Sequence, residues 1–154
     1  MAWDVCPIVL VGENLEKGGH AMPSDKKINK GDTIYFDFGI SATFEDDTTL
    51  YTDMQRMGYF LKDQEDAAPE SVQKVFDTLI TSVSKGIKAM RPGVKAYKVD
   101  EIVRGEILDN NYPDYPHATG HPVGRDVHGA GALISYFTSK RANLKLVENG
   151  IYTL

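Results

Sequence analysis

An α+β domain is predicted, because strand-period segments fill the N-terminal part of the chain, helix-period segments occupy its middle, and a strand pattern returns at its end. With 154 residues, of which 42% are hydrophobic, the chain can bury one core and fits one globular domain better than two.

The first element is 7–12, Pro-Ile-Val-Leu-Val-Gly, a short buried strand stopped by glycine. A polar loop through Gly18, Gly19 and His20 follows. Gly31 and Asp32 then turn the chain into 33–39, Thr-Ile-Tyr-Phe-Asp-Phe-Gly, whose β-formers alternate so that Asp37 falls on the face opposite Ile34, Phe36 and Phe38. A strand over 50–60 comes after a loop rich in Glu45, Asp46 and Asp47. From Pro69 the period changes. Val72, Val75, Phe76, Leu79, Ile80, Val83, Ile87 and Met90 recur at three- and four-residue steps, one apolar stripe on a long helix with proline in its first turn and Arg91-Pro92-Gly93 as its stop. Val99, Ile102, Val103 and Ile107 mark a second helix, ended by Asn110-Asn111 and the prolines beyond. A loop holding three of the four histidines separates it from 144–154, where a turn at Asn149-Gly150 feeds a last strand.

Composition excludes several functions. A formal net charge of -5, with no basic run interleaved with aromatics, argues against nucleic acid as a partner. The single cysteine, Cys6, cannot close an intrachain disulfide, so a reducing cytoplasm is the expected location. Neither a membrane anchor nor a signal segment is recognisable, and membrane partners are not expected.

Two groups of residues carry chemistry. Asp37 shares a strand face with Tyr35, and Asp53 shares one with Tyr51 and Gln55. If the two strands pair as a hairpin, the aspartates converge on one pocket, as oxygen-rich divalent metal sites on rigid elements do. A one-residue shift of register would turn Asp53 away. The second group is His117, His121 and His128, spaced His-x3-His-x6-His. Gly120 and Pro122 make a regular helix there improbable, so the rings take separate roles around a pocket or bond to nearby carbonyls.

Five segments, in order, resemble the pita-bread metallopeptidases, which include methionine aminopeptidase, aminopeptidase P, prolidase and creatinase. They are Gly19-His20-Ala21-Met22-Pro23-Ser24-Asp25; Gly31-Asp32 with Phe36-Asp37-Phe38-Gly39; Thr52-Asp53-Met54-Gln55-Arg56; Arg91-Pro92-Gly93; and the stretch from His117 to His128. The wording of 53–56 and the presence of His117 favour the aminopeptidase P and prolidase branch. The resemblance implies the pita-bread catalytic fold over 1–154, incomplete at its C-terminus and without the N-terminal domain common in that branch.

By the same resemblance, Asp37, Asp53 and His121 are ligands to two divalent ions, manganese, cobalt, zinc or iron. His20 lies near the substrate amide, His128 stabilises the tetrahedral intermediate, and His117 is a further pocket histidine on the substrate side. The implied reaction is removal of the N-terminal residue from peptides with proline at the second position, by a hydroxide shared between the metals. Two glutamate ligands of the family would follow Leu154, so these residues hold three of five ligands, and the chain alone is expected to bind metal incompletely and to be a poor catalyst. A homodimer is also implied. Two other readings fit the same residues: a catalytically silent binding or scaffold member of the fold, and a creatinase-type hydrolase of a non-peptide substrate.

Overall fold

The computed structural model describes residues 7–17 and 24–154; His20 and Cys6 lie outside them. The chain folds as two compact units, 1–70 and 71–154.

The first unit is built on antiparallel strands. β1 (Ile8–Val11), β2 (Thr33–Phe38) and β5 (Met54–Tyr59) form one sheet in the order β1-β2-β5, and β3 (Ser41–Thr43) pairs with β4 (Thr49–Tyr51) in a second. Leu10, Val11 and Ile34 are its buried apolar residues, 3%, 6% and 4% exposed. Burial of side chains this size contributes about 1.5–3 kcal/mol each. In β2, Ile34 lies opposite Val11 and Gly58 and Asp37 opposite Ile8 and Gln55, and of the face read as apolar Ile34 is buried whereas Phe36 is exposed.

The expected single strand over 50–60 is two strands. Residues 49–51 pair with β3, whereas residues 54–59 pair with β2. The break falls at Thr52-Asp53, because the chain changes sheets there. Ile40 and Thr52 hold this crossing: the Thr52 amide donates to the Ile40 carbonyl at 2.9 Å, and the Ile40 amide donates to Thr52 Oγ1 at 2.9 Å. Gly39 is required beside them, since a Cβ there would stand 2.0 Å from the Thr52 carbonyl oxygen. Glu45, Asp46 and Asp47, which lengthen the loop between Asp37 and Asp53 as an insertion, form the tip of the β3-β4 hairpin, closed by the Phe44 amide on the Thr48 carbonyl at 2.9 Å, with Asp47 at φ 61°. Asp tolerates that left-handed conformation better than most residues.

The second unit has α1 (Glu70–Ala89) and α2 (Ala96–Asp109) followed by a largely irregular segment. Ala96, Val99 and Val103 of α2 pack with Ala132, Ile134 and Leu146, and Met90, Val94, Tyr152 and Leu154 close over them. The second-helix stripe is thus a core face, with Ile102 40% exposed outside it. The α1 stripe is different. Its buried residues are Thr78, Ser82 and Gly86, while Val75, Phe76, Ile80 and Ile87 are exposed. Thr78, Ser82 and Gly86 recur at four-residue steps along the buried line of α1, and Gly86 lies close against Val103 of α2. The turn expected at Asn149-Gly150 is present, with Asn149 at φ 58°, but the strand expected after it is not: Lys145 and Tyr152 make isolated bridges to Lys95 and Pro122. No helix among the described residues is long and apolar enough to cross a membrane.

Candidate metal and peptidase site

The register of β2 and β5 decides where the carboxylates point. Asp37 faces Gln55 across the pair, and Asp53, two residues before Gln55, is on the same side. Gln55 Nε2 donates to Asp37 Oδ1 and to Asp53 Oδ1, each at 3.1 Å. One amide nitrogen therefore satisfies an oxygen from each aspartate, so the hairpin insertion has not shifted the register. Tyr35, on the same face of β2, donates its hydroxyl to Asp37 Oδ2 at 3.4 Å. Burial, and then the negative charge of Asp37, push the Tyr35 phenol up to about 12, so it stays a proton donor beside the carboxylates. Both aspartates are half-buried. Two carboxylates sharing one positive pole on a rigid strand pair form the oxygen donor set that a hard divalent cation requires, and the residues present fit such an ion.

The histidines belong to the second unit. His121 sits on an extended segment anchored on both sides: the Gly120 amide donates to the Ile134 carbonyl at 3.1 Å, and the Thr153 amide donates to the His121 carbonyl at 2.9 Å. Gly120 makes this possible, because a Cβ there would lie 2.0 Å from the Thr153 carbonyl oxygen. His121 Nδ1 donates to the Pro122 carbonyl at 3.0 Å. A carbonyl only accepts, so the neutral ring keeps its lone pair on Nε2, the tautomer that suits a metal ligand. The His128 ring lies 4.5 Å from that of His121, tilted by 48°. His117 is exposed, its ring 4.8 Å from that of Tyr115 and its Nδ1 on the Ala118 carbonyl at 2.8 Å.

Two sets of residues were not singled out by sequence. Gln55 was noted only as a face neighbour of Asp53, since spacing cannot show that one amide spans two carboxylates. Asp100 and Arg104, on α2, were missed altogether. They are 2% and 5% exposed and form an ion pair at 2.8 Å. Burial works against the Arg104 charge, but hydrogen bonds to Asp100 and Asp114 outweigh it and hold the guanidinium above its ordinary pKa. The available signal was an Asp and an Arg four apart beside the core positions Val99, Val103 and Ile107.

The aspartates of the first unit and the histidines of the second supply oxygen and nitrogen donors of the types that divalent metal ions take. The profile of metallopeptidase family M24 matches residues 1–154, and the chain belongs to that family. Its fold is the family's pita-bread fold, of which these residues form a part. An uncharacterized peptidase of Staphylococcus saprophyticus is 30% identical over 149 residues, covering 94% of this chain and 39% of that protein. A Xaa-Pro dipeptidase of Pyrococcus horikoshii is 27% identical over 137 residues, 86% of this chain and 36% of that one. Among solved structures, a prolidase from Thermococcus sibiricus superposes with a TM-score of 0.72 at 29% identity, over 93% of this chain and 34% of its own. The chain thus spans between about a third and two fifths of the length of these relatives.

Proposed function

We propose that these residues are part of the catalytic domain of an enzyme that hydrolyses the bond between an N-terminal residue and a following proline. Asp37, Asp53 and His121 would hold two divalent cations, among manganese, cobalt, zinc and iron. The observation that carries the reading is the sharing of Gln55 Nε2 by the two aspartates, joined to membership of M24 and likeness to a Xaa-Pro dipeptidase and a prolidase. When bound, the cations supply Lewis acidity toward a carbonyl oxygen and acidify water near neutral pH.

The chain's own side chains do the rest. With Nδ1 bonded to the Pro122 carbonyl, His121 would hold an ion through Nε2. His128 is assigned to hydrogen-bond the oxygen that gains charge in the tetrahedral intermediate, a contact whose removal lowers kcat by roughly a hundredfold or more. His117 is assigned to bind the peptide, and His20 is assigned a catalytic role near the substrate amide.

The test is release of the first residue from Xaa-Pro peptides by the full-length protein that carries this chain. Release is expected with added manganese, cobalt or zinc, with loss on chelation and in Asp53→Asn, and with little release from Xaa-Ala controls. No release with any of the metals would overturn the reading, and turnover of creatine instead would replace it with the non-peptide hydrolase.

A further inference from the structure

Arg104 uses every hydrogen it has. A guanidinium carries five N–H donors in one plane, and each has an acceptor here. Nε donates to Asp100 Oδ2 at 3.0 Å; Nη2 donates to Asp100 Oδ1 at 2.8 Å and to the His117 carbonyl at 3.2 Å; Nη1 donates to Asp114 Oδ1 at 2.6 Å and to the Tyr115 carbonyl at 2.7 Å. The Tyr115 and Tyr136 rings stand 3.9 and 3.8 Å from its central carbon. With the edges of the plane taken by donors, the rings occupy its two faces. Asp100 Oδ1 also accepts the Thr119 hydroxyl, which is itself 2.6 Å from the Tyr115 hydroxyl.

These partners share a location. Apart from Tyr136 and Asp100 itself, they all lie in 114–119, a segment without helix or strand that ends two residues before His121. In such a segment the carbonyls of Tyr115 and His117 have no ladder to join, and Arg104 takes the place of one. The exposed His117 ring is therefore set through its own backbone, and the path into His121 is set by Thr119, whose amide donates to the Ile134 carbonyl at 2.8 Å. Lysine would keep the charge but not the planar fork that joins Asp100 to the 114–117 backbone.

We propose that the buried Asp100–Arg104 pair is a positioning unit for the peptidase site, fixing the 114–119 backbone so that His117 and His121 present their rings in one orientation. The inference rests on the reading of His121 as a metal ligand, and the test separates the two. In the 154-residue chain, Arg104→Lys, Thr119→Val and Thr119→Ser are compared with the parent by imidazole nitrogen–proton NMR without metal, by circular dichroism melting and by zinc titration. Thr119→Val removes one hydroxyl and leaves the ion pair intact, so it carries the test if Arg104→Lys does not fold. The expected result is retained helix content and cooperative melting, displaced His117 and His121 ring signals, and zinc affinity lower by roughly 10- to 100-fold, with Thr119→Ser restoring both. A lower melting temperature with unchanged ring signals and unchanged zinc affinity would reduce the pair to a brace and overturn the inference. If His121→Ala leaves zinc affinity unaltered, the metal assignment fails, and the ring signals alone decide the positioning role.

Discussion

Asp114 shows how a single surface residue is drawn into the buried network. Its carboxylate is 43% exposed, yet the Tyr136 hydroxyl donates to Oδ2 at 2.6 Å and Arg104 to Oδ1. Those two bonds, the tyrosine's first, hold its pKa below the ordinary 3.8. A carboxyl with a lowered folded pKa contributes stability that is present above the unfolded value and is lost as pH falls through the folded one. The melting temperature of the chain, followed from about pH 5 to about pH 2, should therefore fall more steeply than that of Asp114→Asn, the difference opening below the ordinary carboxyl pKa. Parallel curves would show that Asp114 gains nothing from its partners. Asp37, Asp53 and the histidines were legible as candidates; their partners were not. Asp37 and Asp53 could be placed on one face by counting in twos, but the Gln55 bridge needs three side-chain positions at once. Arg104 reads as an ordinary helix arginine until its five acceptors, spread over 100–117, are brought around it.

At the scale of elements, Gly86 on α1 and Gly105 on α2 are glycines of opposite kind. A Cβ on Gly86 would meet Val103 Cγ2 at 2.4 Å, and Val103 is a stiff, buried side chain that cannot swing aside. Nothing stands within 4 Å of the corresponding point on Gly105. Gly86→Ala is therefore expected to destabilise by about 1–3 kcal/mol through overpacking, despite the better helix propensity of alanine. Gly105→Ala should stabilise by about 0.5–1 kcal/mol. Urea midpoints of the two variants check both signs, and a stabilised Gly86→Ala would mean that the helices are less closely packed than described. The helices themselves were readable from period and stop signals, since 3.6-residue recurrence needs no tertiary information. The face that α1 buries was not: hydrophobic residues mark the wider stripe, whereas Thr78, Ser82 and Gly86 are the buried ones, and Gly86 is there because Val103 comes close. The division of 50–60 into two strands was equally hidden. It depends on a sheet change at Thr52, and alternation continues through such a change without a break.

At the scale of the whole molecule, the predicted ligands are divided along the chain, with both aspartates in the unit of residues 1–70 and His121 in that of residues 71–154. The fold class was legible because strand-period segments precede two helix-period segments along the chain. The end of the chain was less so, since residues around Asn149 and Gly150 carry turn and strand preferences that only the bridges at Lys145 and Tyr152 resolve. The account stands or falls on Asp37 and Asp53 acting as one cation-binding unit. Its most direct test is manganese affinity of the 154-residue chain, by calorimetry or by the loss of the free-ion spin-resonance signal, for the parent, Asp37→Asn, Asp53→Asn and the double variant. The account predicts that each single change weakens binding strongly and that the double change adds little more, the coupling expected of two groups sharing one partner. Unchanged affinity in both single variants, or losses that simply add, would contradict it.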